Sequence, residues 1–158
     1  MSSESAINDY LNIVWRRKWL VLLPALVGVA ADRAYAFLVD PAALGRWSLG
    51  CMDLVDVGGG IYRGRSLFDG GEGFLSIDGD PQRRVIDYHV GTLQERAPRI
   101  CARVVPGPVC GLAPSECYVS LLAWRSTSMD EARWQRLCAS HAAEIWLIKA
   151  QLESRVGR

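Results

Sequence analysis

SMDEARWQRLCASHAAEIWLIKAQLE, residues 128–153, is the stretch whose reading decides the fold. Trp134, Leu137, Cys138, His141, Ile145, Ile148 and Leu152 fall at i, i+3, i+4 spacing and form one continuous apolar stripe. A stripe of that length predicts a single long helix with one face to bury. Ser128 with Glu131 three residues later reads as a capping box, and Gly157 as a stop. The chain before it has another rhythm. Six β-rich runs (Leu49–Val57, Ile61–Phe68, Gly73–Ile77, Arg84–Val90, Arg99–Val105, Glu116–Arg125) are punctuated by Gly58-Gly59-Gly60, Asp69-Gly70-Gly71, Asp78-Gly79-Asp80-Pro81, Gly91 and Pro106-Gly107-Pro108. Turn signals at such intervals predict an antiparallel meander.

Further upstream, residues 19–30 read as a strand apolar on nearly both faces, with Pro24 tolerated at an edge or bulge. Ala31 to Leu38 then turns helical, with Ala34, Tyr35, Phe37 and Leu38 at helical spacing. Asp40-Pro41 ends that helix and starts a second, because Pro restricts the residue before it and suits a first helical position. The order is strand, two short helices, six strands, long helix. A sheet of six or seven antiparallel strands must twist and curl, and the C-terminal helix is the element large enough to cover its concave face. One helix cannot fill the concavity, so a cavity between helix and sheet is expected, and with it a default ligand site.

The stretch Val29-Ala30-Ala31-Asp32-Arg33-Ala34-Tyr35-Ala36-Phe37-Leu38, followed by Asp40-Pro41 and Arg46-Trp47, resembles the START-related, Bet v 1-like helix-grip (SRPBCC) superfamily, and within it the bacterial polyketide cyclase/dehydrase-type proteins. The resemblance covers about 19–154. It implies an α+β helix-grip fold, with a curved six- to seven-stranded antiparallel sheet around a long C-terminal helix. It also implies a small, largely apolar ligand, aromatic or polyketide-like, and in some members acid/base cyclisation or aromatisation. A non-catalytic carrier or sensor is the alternative. Residues 1–18 are then a polar extension, 19–154 the ligand-binding domain and 155–158 a tail.

Composition narrows the class. A chain of 158 residues with a net charge of +1 suits one domain and lacks the basic footprint of a nucleic-acid binder. Five cysteines without a C-x-x-C, and two histidines, predict reduced thiols in a cytoplasm and neither metal nor other cofactor. Trp19 to Ala31 is a run of 13 uncharged residues after Arg16-Arg17-Lys18, and Asp9 to Trp19 resembles the first membrane entry of polysaccharide chain-length regulators. The run falls short of the roughly 20 apolar residues that a spanning helix needs, so a membrane partner is not expected. The expected partner is a small hydrophobic molecule, and a homodimer is compatible with the reading.

His141 and Glu144 stand three apart on the long helix and are neighbours there. A carboxylate-held histidine in an apolar pocket is a candidate general base, and the pair is assigned as the catalytic candidate. Trp47, Tyr62, Phe68, Tyr88, Trp124 and Ile145 are the candidate ligand contacts, because flat aromatic walls suit an aryl ligand. Alternation on the strands places Ile86, Tyr88, Val90, Ile100, Ala102 and Val104 inward. It favours Asp87, His89, Arg99, Cys101 and Arg103 as an outward charge ladder rather than a cluster gripping a ligand carboxylate. Cys51 has no activating neighbour in sequence and reads as a packed thiol. Lys149 reads as solvated.

Overall fold

The computed structural model describes residues 20–154. The expected extension 1–18, Trp19 and the tail 155–158 lie outside the described residues. The order of elements is the expected one: β1 (Leu20–Val27), α1 (Ala31–Val39), α2 (Pro41–Trp47), β2 (Met52–Gly58), β3 (Ile61–Arg65), β4 (Glu72–Asp80), β5 (Val85–Gly91), β6 (Arg96–Pro106), β7 (Cys117–Trp124) and α3 (Glu131–Ser154). A 3-10 turn over Gly107–Cys110 joins β6 to β7.

The seven strands form one antiparallel sheet in the order β1-β7-β6-β5-β4-β3-β2. The first strand therefore pairs with the last. Its register runs from Leu20 opposite Trp124 to Val27 opposite Cys117. The two short helices carry the chain across to the far edge, and the meander returns strand by strand to β1. Pro24 lies on an edge strand, where its missing N–H breaks no ladder. β1 is not apolar-buried on both faces, however. Ala25 and Val27 are buried while Leu22 and Leu26 are exposed, as period two requires of a strand covered on one face.

Local chemistry accounts for the junctions. Asp40 caps α2, its Oδ1 accepting from Ala42 N–H at 3.0 Å, with Pro41 at the first helical position. Gly59 and Gly60, at φ of +64° and +73°, form the two-residue β2–β3 hairpin loop, which demands positive φ at both positions. The cap of α3 differs from the expected one. Asp130, not Ser128, accepts Arg133 N–H at 2.7 Å, and Glu131 instead bonds Arg125 and Gln135. Asp130 is the residue immediately before the first helical turn, where a short carboxylate reaches the free N–H groups.

Leu38, Ile86, Val104, Val119, Leu121, Ile148 and Leu152 are almost fully buried in one core between sheet and helices. Each side chain of this size contributes about 1.5–3 kcal/mol by burial. The C-terminal half of α3 lies against β1. Lys149, expected to be solvated, joins the two: its Nζ donates to Leu26 O at 2.7 Å and to Glu153 Oε1 at 2.5 Å. Glu153 Oε1 also accepts Gly28 N–H at 2.9 Å. No helix among the described residues is long and apolar enough to cross a membrane.

The Lys149 ammonium and then the Gly28 N–H hold the Glu153 carboxyl below its usual value of 4.5. A depressed folded-state pKa contributes stability that is present above the unfolded pKa and lost as pH falls through the folded one. Glu153→Gln should therefore cost about 1 kcal/mol at pH 7, the typical value of a lost charged hydrogen bond at a partly exposed site. The gap between variant and parent should shrink as pH falls below about 4.5. Denaturant unfolding of both proteins at a series of pH values checks this, and a gap independent of pH would remove the carboxylate's role.

Candidate functional site

A cavity of about 320 Å³ opens at the end of the sheet where α3 begins. This is within the range of small-molecule sites. Its apolar walls come from Leu44 and Trp47 of α2, Leu75 of β4, Tyr88 of β5, Ile100 of β6 and Leu137 of α3. The curl of the sheet explains its position: α3 packs closely where Ile145, Ile148 and Leu152 enter the core, and one turn earlier it leaves a gap. Trp47 and Tyr88 meet edge to face in the wall, centroids 6.1 Å apart and planes at 72°.

His141 and Glu144 stand on the wall at the border between cavity and core, both under 5% exposed. His141 Nδ1 lies 2.6 Å from Glu144 Oε2. The contact is close but off the N–H axis, so it is a charge contact more than an aligned hydrogen bond. Glu144 Oε1 accepts Leu49 N–H at 2.7 Å, across 95 residues of sequence. Nε2 is buried and has no partner among the described residues. Trp47 Nε1 is likewise buried and unpartnered. Buried polar atoms left without partners cost free energy.

Two other polar groups of the cavity are unfit for proton transfer near neutrality. Tyr88 donates its hydroxyl to Leu38 O at 2.9 Å inside the core, and burial raises its pKa far above the ordinary phenol value. Burial likewise pushes the Cys51 thiol up to about 11, which agrees with its reading as a packed thiol. Among the described residues no group of three or more His, Cys, Asp or Glu comes together as a metal site.

Of the expected ligand contacts, Trp47, Phe68 and Tyr88 line the cavity. Tyr62 packs against the core without reaching the cavity wall. Ile145 is buried in the core, one turn beyond the cavity. Trp124 points outward and is 42% exposed. Period two explains it, since Cys117, Val119, Leu121 and Ala123 of β7 hold the inner face. The outward ladder is also only part of the truth. Ile86, Tyr88, Ala102 and Val104 are buried as expected. Between Tyr88 and His89 the β5–β6 register slips, so that Tyr88 faces Ile100 while His89 faces Pro98. The bulge leaves Arg99 without a partner on β5 and turns it to the cavity. Its Nε and Nη2 donate to Trp124 O at 3.2 and 3.0 Å. The sequence signal for this was Pro98, which interrupts a strand ladder. Arg133 and Arg136, on the first turns of α3, also line the opening, and the sequence reading passed over both.

No family model matches this chain, and no curated protein matches it. Solved structures do. The di-domain ARO/CYC BexL from the BE-7585A biosynthetic pathway superposes with a TM-score of 0.62 at 20% identity, over 85% of this chain and 46% of that one. This chain thus spans about half of that di-domain protein. The Zhui aromatase/cyclase from Streptomyces sp. R1128 gives 0.60 at 19% identity, over 87% and 94%. A START superfamily protein from Mycobacterium smegmatis gives 0.62 at 12% identity, over 86% and 98%. The chain has the START-like helix-grip fold.

Two outcomes are expected from this geometry. Glu144→Ala should destabilise the protein by about 3 kcal/mol or more, because it strands the Leu49 N–H and leaves an imidazole buried alone. Glu144→Gln, which keeps an acceptor for Leu49, should cost less; equal losses in denaturant unfolding would contradict the assignment. At pH 8, iodoacetamide should modify exposed Cys110 and spare Cys51 over the same time, read by peptide mass mapping.

Proposed function

We propose that this helix-grip protein binds a small, largely apolar molecule, aromatic or polyketide-like, in the cavity between sheet and α3, and that His141 acts on it as a general base. The observation that carries the reading is the buried, unpartnered imidazole Nε2 of His141, a residue of the cavity lining, with Glu144 against its other nitrogen. The aromatase/cyclase neighbours share the fold and lend weight to the reaction class.

The chemistry follows from that nitrogen. Nε2 takes a proton from a carbon flanked by carbonyls, and Glu144 stabilises the imidazolium so formed. The resulting enolate carbon attacks a second carbonyl of the same chain, held close by the walls. The imidazolium returns its proton to the new alkoxide. Nε2 then takes a second proton from the ring carbon beside the new hydroxyl and gives it to that hydroxyl, which leaves as water and gives the ring its unsaturation. Trp47 N–H is a donor for the carbonyl oxygen on which the enolate charge develops. No step requires another acid, which suits a cavity where Tyr88 and Cys51 are unavailable.

The second reading, a carrier or sensor without chemistry, uses the same cavity. Native mass spectrometry of protein purified without detergent, followed by solvent extraction, identifies what co-purifies. The expected result is a discrete bound mass of a few hundred daltons, in line with a cavity of this size. With that compound or its linear precursor, His141→Ala should reduce turnover by about 100-fold or more, the scale of general-base catalysis, and change affinity only a few-fold. Turnover absent from both proteins, with binding intact, would leave the carrier reading in place. No bound species and no uptake of aryl compounds would remove both.

A further inference from the structure

We propose that the cavity's ligand carries an anionic group, a carboxylate or a phosphate, which Arg99, Arg133 and Arg136 hold at the opening. This rests on the cavity reading above and adds the ligand's polarity to it. All three side chains line the same opening, reached from two elements that only the tertiary fold brings together: the bulge of β6 and the first turns of α3. The other walls are mainly apolar, so the site is amphipathic along its length.

The arginines are not accounted for by internal ion pairs. Among the described residues, none of the three forms one, whereas Arg63, Arg83, Arg84 and Arg125 each meet a carboxylate. Arg99 is oriented rather than satisfied. The Trp124 carbonyl takes the Nε and Nη2 edge, and Nη1 is left over. Holding a guanidinium by a backbone carbonyl fixes its direction without neutralising its charge. Burial first, and then the nearby Arg133, disfavour the charged form of Arg99.

Two carboxylates also stand at the opening. Glu72 is drawn to Arg63, 3.4 Å away. Asp69 is committed to its own turn, accepting Gly71 N–H at 3.0 Å, and the arginines act on it only as a lesser influence. Asp69 thus supplies part of the counter-charge, but among the described residues neither carboxylate forms an ion pair with the three arginines. A ligand anion with its apolar body inward would supply the directly paired charge, and guanidinium forks suit both carboxylate and phosphate oxygens.

The test uses two fluorescent probes with one aryl skeleton: 8-anilinonaphthalene-1-sulfonate, which is anionic, and neutral N-phenyl-1-naphthylamine. Arg133 and Arg136 are exposed, so Arg133→Gln/Arg136→Gln should fold, which a thermal melt verifies. The double variant should weaken the sulfonate probe about tenfold or more, the equivalent of roughly one charge-assisted contact, and the neutral probe by no more than about twofold. Added salt should weaken the anionic probe alone. Decanoate and decyl phosphate should displace it better than decanol, and the stronger of the two names the anion. Equal effects of the variant on both probes, or decanol competing as well as the anions, would overturn the proposal while the cavity reading stands. Failure of both probes to bind the parent protein would overturn the two together.

Discussion

The carboxylate of Glu144 is the constraint on which the site depends. It is buried, and a buried charge is tolerated only when it is met by donors. Leu49 N–H meets one oxygen and the His141 ring lies against the other. The first contact pins α3 to the segment that follows α2. The second sets the His141 ring against the carboxylate through Nδ1. One group thus joins α3 to the segment after α2 and borders the cavity.

Around that point the protein divides its helix between two duties. The C-terminal half of α3 closes the core through Ile145, Ile148 and Leu152 and is tied to β1 by Lys149 and Glu153. The N-terminal half lies over the open end of the sheet and serves as cavity wall and rim. Its first turns bury Trp134 and carry the exposed Arg133 and Arg136 at the cavity. The division follows from the geometry of a curled sheet and a straight rod: they touch along part of their length and must part along the rest.

Polar groups in the cavity sort in the same way. Tyr88 spends its hydroxyl on Leu38 O, joining β5 to α1, and so contributes an aromatic face to the wall and nothing to proton transfer. Cys51 contributes a packed thiol that donates to Gly73 O at 3.9 Å. Even glycine at position 64 is there for packing, since a Cβ would meet the Cys51 sulfur and the Leu54 side chain. His141 Nε2 and Trp47 Nε1 are the two buried atoms of the lining residues that have no partner named so far.

The sequence by itself determined what depends on near neighbours. The period of the last helix, the turn residues between strands, the Asp40-Pro41 junction and the adjacency of His141 and Glu144 all act within a few residues, so they are legible in one dimension. The expected cap at Ser128 failed because two short polar residues compete there, and only the helix's true start makes Asp130 the nearer one. The tertiary structure decided whatever depends on pairing distant segments. It set β1 beside β7, which made β1 an edge strand buried on one face. It placed Trp47, Phe68 and Tyr88 on the cavity and Tyr62, Trp124 and Ile145 off it. It turned Arg99 inward through a register slip against β5. The Leu49–Glu144 bond spans 95 residues, and no local preference encodes it. Such contacts exist only because closing the sheet brings both partners to one place, where burial makes leaving either of them unpaired too costly.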